Sequence, residues 1–233
     1  MISVLTILSF GSEIQTKLVF LSKTGICFRR RACGWLKAHI TSPAHWTSCF
    51  AAPVILDPNT AHANLMLSQG LTSVQYSNKA ILPDNPERCT SRMCVLGADG
   101  FTSGKHRWTV DVGQGKDWFV GVAQESIKRK SAVFFSPVEG FWVIGYCSKD
   151  SVWAQNATRA RVSVKHYPEK ITVELNYDKG RVVFINNADS SVIYTFKEKF
   201  SEKLFPYISV GLLEIYNYNN CPFCKRTSSL SML

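Results

Sequence analysis

Two stretches of strictly alternating side chains limit this chain to a β-rich fold. In residues 106–112, Trp108, Val110 and Val112 share one face, while charged or polar side chains occupy the other. Residues 171–177 repeat the pattern, with an apolar or aromatic side chain at every second position. Because successive side chains of a strand point to opposite faces of a sheet, each stretch predicts a strand with one buried face.

A turn signal follows the second alternating stretch directly. Asp178-Lys179-Gly180 suits a type I turn that ends on a glycine in the left-handed conformation, which a residue without Cβ adopts at little cost. A returning strand is then predicted over 181–185. One short helix is predicted over 61–65, capped by Asn59. Further apolar or alternating runs predict strands at 118–123, 141–146, 192–196 and 207–210.

Local composition and periodicity divide the chain into three parts. Residues 1–51 show no sustained period of a strand or a helix and are interpreted as an extension of uncertain structure. Short β-rich runs separated by Gly, Pro, Asn and Asp fill residues 52–220, a spacing typical of sandwiches and barrels. Residues 221–233 are interpreted as a flexible tail. With 233 residues and 45% hydrophobic side chains, the chain can bury the core of one all-β domain.

The formal net charge of +10 makes nucleic-acid binding a candidate function. Residues 1–50 hold six Lys or Arg and one acidic residue, so much of the basic excess lies in the extension. The basic run Arg29-Arg30-Arg31 is short and stands beside apolar Ile26 and Phe28 without forming a basic helix face. A basic nucleic-acid-binding module is therefore retained as an alternative function and not as the main interpretation.

Candidate catalytic and metal-binding groups are few. Cys221 and Cys224 have the two-residue gap that lets two thiolates reach one zinc ion, but a structural site needs four ligands and no second closely spaced Cys/His pair exists. A zinc-dependent module is thus a further alternative, free thiols are the preferred interpretation, and no cofactor is predicted. The sequence has no Gly-x-Ser-x-Gly elbow, and its histidines have no sequence-local partners for a triad. We therefore expect no enzyme activity.

Cysteine usage and hydropathy indicate where such a chain resides. Eight scattered cysteines in a chain rich in large apolar residues favour reduced thiols and a cytoplasmic location. No stretch reaches the roughly 18 uninterrupted apolar residues of a membrane-spanning helix. We therefore expect no membrane span.

Several motifs, in their order along the chain, resemble one known family. They are Leu56-Asp57-Pro58, Gly104-Lys105-His106-Arg107-Trp108, Trp108-Thr109-Val110-Asp111-Val112, Leu175-Asn176-Tyr177-Asp178 and Leu204-Phe205-Pro206-Tyr207. Together they resemble the PRY/SPRY (B30.2) domain that ends tripartite-motif ubiquitin ligases and some butyrophilins. The resemblance implies an all-β fold, a bent antiparallel β-sandwich of the concanavalin-like jelly-roll type. It implies a PRY segment over residues 52–105 and a SPRY segment over residues 106–220.

The resemblance also implies a function, because a rigid sheet scaffold of this kind presents variable loops to partners. We expect a non-catalytic module that binds a protein or peptide through its inter-strand loops, in ubiquitin-ligase or innate-immune signalling. The zinc-binding RING and B-box and the coiled coil of tripartite-motif proteins are absent from the sequence, so ligase activity is not expected of this chain. The sequence leaves the identity of the partner and the oligomeric state open.

Site residues are implied by the same resemblance. The positions that align with ligand-facing positions of related domains are Phe119, Gly145, Cys147, Trp153 and Leu212. Tyr76 either lines the same surface or covers the sheet. Gly145 and Cys147 are small where an antibody-binding relative has tryptophans, and Phe119 stands where certain butyrophilins have a histidine. Neither the antibody pocket nor the phosphoantigen pocket is therefore expected, and a flatter, more apolar patch is.

The tryptophans are expected to have different roles. Trp108, Trp118 and Trp142 lie in predicted strands, where large aromatic side chains usually form the core of a sandwich. Trp153 follows the polar stretch 148–151. It is either a further core residue or an exposed anchor of the kind that carries much of an interface's binding energy.

Overall fold

The structure is a computed structural model that describes residues 4–8, 54–113, 115, 117–147 and 151–210, with the backbone alone for 4–8 and 147. Within these ranges there is one turn of 3-10 helix, Pro137–Glu139, and no helix long and apolar enough to span a membrane. The described strands are β1 Val4–Leu8, β2 Leu65–Leu67, β3 Ser73–Tyr76, β4 Cys94–Leu96, β5 Lys105–Asp111, β6 Trp118–Gln124, β7 Phe141–Cys147, β8 Ser151–Ala154, β9 Ala160–Val162, β10 Lys170–Asn176, β11 Arg181–Asn186, β12 Val192–Lys197 and β13 Leu204–Val210.

A seven-stranded sheet is built around the two alternating stretches of the sequence. Its order is β12-β11-β10-β5-β1-β3-β2, and neighbouring strands run antiparallel. β5 and β10 pair along their whole length, so that Trp108 lies opposite Val173 and Val110 lies opposite Ile171. All four side chains are buried in the main core. Both predicted strands are confirmed, together with the prediction that each buries one face.

The turn between β10 and β11 has the geometry that its sequence predicts. Gly180 adopts a left-handed conformation with φ of 59°, and its N–H donates to the carbonyl of Tyr177 at 3.0 Å. A Cβ on Gly180 would lie only 2.1 Å from the carbonyl oxygen of Glu198. The position therefore needs glycine for two reasons: its backbone conformation, and the close approach of the chain that leaves β12.

The second sheet has six antiparallel strands in the order β4-β13-β6-β7-β8-β9. Its inner face packs on the seven-stranded sheet and supplies Trp118, Val120 and Trp142 to the main core. The indole N–H of Trp118 donates to the hydroxyl of Tyr167 at 3.0 Å, so this buried polar group is satisfied. The predicted antiparallel sandwich is confirmed, with Trp108, Trp118 and Trp142 all in its core.

The predicted helix over 61–65 is wrong. The carboxylate of Asp57 accepts the N–H of Asn59 at 2.9 Å, so Asn59 lies inside a turn and does not cap a helix. Three residues later, the N–H of His62 donates to the carbonyl of Cys94 in β4 at 3.1 Å. This long-range hydrogen bond holds the chain beside β4, so the N–H of His62 is not used in a helix. β2 begins at Leu65, where the helix was expected to end.

The amino-terminal extension contributes a strand that the sequence pattern did not predict. β1 lies between β3 and β5, where Thr6 pairs with Ser73 on one side and Asp111 on the other. Five residues are too few to separate a buried strand from any other short apolar run. The seven-stranded sheet is therefore built from both the extension and the domain that follows it.

Truncating Trp108 tests the core. Trp108 is 4% exposed between the sheets. Trp108→Ala should lower the free energy of unfolding by about 3–5 kcal/mol, because it leaves a cavity that the sheets cannot close. The adjacent Arg107 faces outward with a 55% exposed side chain, and Arg107→Ala should cost less than about 1 kcal/mol. Urea unfolding measures both values, and equal losses would contradict this assignment of faces.

Candidate functional site

The outer face of the six-stranded sheet carries a row of directly opposed residues. Phe119 lies between Ser209 and Gly145, Gly145 lies opposite Trp153, and Trp153 lies opposite Arg161. Directly opposed residues of antiparallel strands project to the same side. The residues that flank the row on β6, β7 and β8 are buried between the sheets, so the row faces outward. We call Phe119, Gly145, Trp153 and Arg161 the β6–β9 face.

The segment 125–140, which joins β6 to β7, covers the other half of this outer face. Its Phe135 packs edge-on against Phe141 and Tyr207, with ring centroids 5.1 and 5.8 Å apart. These side chains belong to a second, smaller core outside the sandwich. The ring of Phe119 lies 4.6 Å from that of Phe135 and is only partly buried. The β6–β9 face therefore begins where this cover ends.

Two free thiols and a phenol are buried in the second core. A hydrogen bond with Cys94 is the main cause that lowers the pKa of the Cys89 thiol. Burial raises the pKa of the Cys94 thiol and that of the Tyr207 hydroxyl well above their usual ranges. Cys94 and Tyr207 are thus held neutral in the folded protein, where they serve packing.

Gly145 lacks a side chain at the point where Phe119 crosses the sheet. A Cβ on Gly145 would lie 2.3 Å from Cδ1 of Phe119 and 2.8 Å from the carbonyl oxygen of Trp118. Both distances are far shorter than van der Waals contact. The phenyl ring fills the space above the glycine, so the small residue makes the face flat at this point and does not open a pocket.

Trp153 forms the aromatic centre of the face. Its side chain is partly exposed, and Cζ of Arg159 lies 4.8 Å from the ring centroid, within the range of a cation–π interaction. Its indole Nε1 is buried and has no hydrogen-bond acceptor among the described residues. Arg161 is exposed directly beside it. The face therefore joins an aromatic surface, two guanidinium groups and one unsatisfied donor.

The turn between β8 and β9 holds Arg159 in place. The side-chain oxygen of Asn156 accepts the N–H groups of Thr158 and Ala160, both at 3.1 Å, and its amide nitrogen donates to the hydroxyl of Tyr194 at 2.9 Å. Arg159 has a left-handed backbone with φ of 52°. Such a conformation costs a non-glycine residue about 1 kcal/mol or more. The hydrogen bonds of Asn156 keep the turn closed against this cost.

Within its described strands, the six-stranded sheet carries charge of one sign at the outward positions. No Asp or Glu occupies an outward position in its described strands, where Arg161 is the charged residue. A second stacked arginine, Arg92, lies on the covered half, with its Cζ 4.0 Å from the ring centroid of Phe135. In the described part of the chain, no three His, Cys, Asp or Glu side chains are grouped to hold a metal ion. Cys221 and Cys224 lie outside it.

The structure brings three of the predicted site residues together: Phe119, Gly145 and Trp153. Cys147 occupies the next outward position of β7, opposite Ser151, and its backbone alone is described. Tyr76 lies in β3 of the other sheet and packs against the main core. Leu212 lies outside the described residues. No sequence pattern indicated Arg159 and Arg161, because only the turn and the register of β9 place them beside Trp153.

A pair of antiparallel sheets with one partly open outer face places the protein among the β-sandwich modules. The sequence narrows this class further. It matches the family model for the SPRY domain over residues 105–224 and that for PRY, the SPRY-associated domain, over residues 54–101. The chain belongs to the SPRY domain family.

Three named relatives match this part of the chain. The chain is 44% identical over 158 residues to nuclear factor 7, brain, of Xenopus laevis, a match that spans 67% of the chain and 26% of the relative. It is 40% identical over 154 residues to the E3 ubiquitin-protein ligase TRIM69 of Mus musculus, a match that spans 66% of the chain and 31% of the relative. It is also 40% identical over 156 residues to butyrophilin subfamily 1 member A1 of Mus musculus, a match that spans 66% of the chain and 30% of the relative. The matches span less than a third of each of these relatives.

Two solved structures have a similar fold. The crystal structure of the TRIM65 PSpry domain superposes with a TM-score of 0.60 at 20% identity, over 69% of this chain and 85% of that one. The stonustoxin structure gives a TM-score of 0.61 at 27% identity, over 68% of this chain and 27% of that one. Both likenesses support the sandwich architecture described above.

Adding one methyl group at residue 145 tests the contact with Phe119. Gly145→Ala should lower the free energy of unfolding by about 1–3 kcal/mol, because the new Cβ overlaps the phenyl ring. In a Phe119→Ala background the same change should cost less, by more than about 0.5 kcal/mol. Gly70→Ala is the control, since its nearest neighbour would be 3.7 Å away. Equal costs of Gly145→Ala in both backgrounds would show that the ring is not the obstacle.

Alkaline pH tests the buried thiol and phenol. The unfolded chain releases protons from Cys94 and Tyr207 above their ordinary pKa values of about 8.5 and 10, whereas raised pKa values keep them protonated in the folded protein. The free energy of unfolding should therefore fall as pH rises above about 9, by up to 1.4 kcal/mol per pH unit for each group. Tyr207→Phe should flatten this decline above about pH 10. Denaturant unfolding under reducing conditions measures it, and an unchanged slope would contradict the assignment.

Proposed function

We propose that this chain is a recognition module that binds a protein partner through its β6–β9 face and the adjoining loops, without chemistry of its own. The observation that carries the proposal is the partly exposed Trp153, set in a flat outer face beside Phe119 and two arginines. Tryptophan and arginine dominate the small set of residues that supply most of the binding energy in protein interfaces. The face offers both together.

The comparisons support a setting for this binding. One relative is named as an E3 ubiquitin-protein ligase and another as a butyrophilin. We propose that the chain acts in ubiquitin-ligase or innate-immune signalling in the cytoplasm, where it selects a substrate or regulator. The ligase reaction itself is not proposed for this chain, because its match to that relative spans 31% of the relative's length.

The position of the groups with shifted pKa values supports a non-catalytic role. Cys89, Cys94 and Tyr207 are the buried nucleophilic groups with the clearest pKa shifts, and all three lie in the second core under the segment 125–140. A substrate on the β6–β9 face would not reach them. The described side chains of that face, two aromatic rings and guanidinium groups, suit ligand binding and include no nucleophile.

Two measurements on the purified protein, the salt dependence of nucleic-acid binding and the metal content, test the two alternative functions. Binding to RNA or DNA, motivated by the net charge of +10, would weaken steeply as salt rises, because binding releases counterions from phosphates. A zinc module would contain stoichiometric metal. A zinc-free protein whose RNA or DNA binding is absent or insensitive to salt would leave the recognition module as the function.

Affinity capture with the full chain as bait tests the proposed face. Trp153→Ala should abolish capture of the partner that the parent protein retains, and should lower the free energy of unfolding by no more than about 1 kcal/mol, since it removes one cation–π contact at a partly exposed site. Val192→Ala is the control, because Val192 is 60% exposed on the other sheet. Mass spectrometry compares the captured proteins. Equal capture by the Trp153 variant and the parent would place the site elsewhere.

A further inference from the structure

We infer that the segment of the partner that contacts the β6–β9 face is acidic, with Asp or Glu carboxylates that pair with Arg161 and Arg159. The inference rests on the proposed function and adds the chemistry of the ligand. Among the described residues three features of the face point to it: an exposed guanidinium group without an ion pair, a second guanidinium group that is already ordered, and outward strand positions without an acidic side chain.

Arg161 is the first of these features. Its side chain is exposed at an outward position of β9. Arg161 belongs to none of the ion pairs between described residues, which include Arg107–Glu174, Lys128–Glu139, Lys130–Asp84 and Lys170–Asp111. A guanidinium group offers a planar fork of donors that matches the two oxygens of a carboxylate. Arg161 can thus donate hydrogen bonds to a carboxylate of the partner, since the described part of the chain supplies none to it.

Arg159 adds a second guanidinium group, which is already ordered. Stacking over the indole of Trp153 and the closed turn around Asn156 fix its position before any ligand arrives. Preorganised groups lose little side-chain entropy on binding, so more of their interaction energy remains as affinity. Because no carboxylate occupies the outward positions in the described strands of the six-stranded sheet, an acidic segment meets no like charge on those strands.

The covered face of the indole favours a protein segment over a single-stranded nucleic acid. Aromatic platforms for nucleic acids present open ring faces on which successive bases stack. Here the guanidinium group of Arg159 already lies over the ring of Trp153, and the ring of Phe119 packs against Phe135. The exposed guanidinium group of Arg161 remains open to a carboxylate, whereas Arg159 covers one face of the indole.

Peptide selection on the full-length protein tests the inference. A phage-displayed random dodecapeptide library is selected on the parent chain, and phage that also bind the Trp153→Ala variant are removed. The selected peptides should be rich in Asp or Glu. Replacing these residues by Asn or Gln should weaken binding at least about tenfold, measured by fluorescence anisotropy at physiological salt.

Charge variants of the protein test the same pairing between arginine and carboxylate. Arg161→Glu should weaken the same peptides at least about tenfold, and peptides with Lys in place of the acidic residues should regain affinity for that variant. Arg181→Glu is the control, because Arg181 is an exposed arginine in β11 of the other sheet, and it should leave binding unchanged. Thermal unfolding checks that both variants fold.

The possible results separate the two proposals. Peptides that need Trp153 but tolerate Asn and Gln would overturn the acidic ligand and leave the proposed function standing. Failure to select any peptide that depends on Trp153 would count against the proposed function itself. Competition by oligo-dT for the same face, lost in Arg161→Glu, would overturn the acidic protein segment in favour of a nucleic acid.

Discussion

Burial of two apolar sheet faces against each other is the interaction on which the rest of the structure depends. Alternation commits one half of each strand to that interface, as with Trp118 in β6 and Val152 in β8. The other half is thereby committed to the outside. Phe119 and Trp153 face outward because their chain neighbours are needed within the core. The candidate site is therefore a consequence of the core register, and a slip of one residue in any of these strands would remove it.

The outer face is divided by packing and not by sequence position. The segment 125–140 covers one half with a second core, and Phe119 stands at its border, in contact with Phe135 on one side and lying over Gly145 on the other. The border links the stability of the second core to the shape of the candidate site. A change that loosens the second core alters the position of the phenyl ring, and with it the surface beside Trp153.

Much of the fold could be predicted from the sequence, and less of the site. Strands of six or seven residues, such as β5 and β10, show a clear period of two, and the hairpin glycine marks its own turn. Strands of three or four residues, such as β2 and β9, are too short to show a period. The helix over 61–65 was wrongly predicted because a hydrogen bond to distant Cys94 outweighs local preference. Arg159 and Arg161 join Trp153 only through a turn and a register, which no local pattern encodes.

The turn around Asn156 also bears on covalent modification. Asn156-Ala157-Thr158 has the acceptor sequence for an N-linked glycan. The amide nitrogen that would carry the sugar instead donates to Tyr194, and the amide oxygen accepts from Thr158 and Ala160. Oligosaccharide transfer to the folded domain would therefore compete with the hydrogen bond to Tyr194. A glycan on that nitrogen would disturb the contact that ties this turn to β12 of the other sheet.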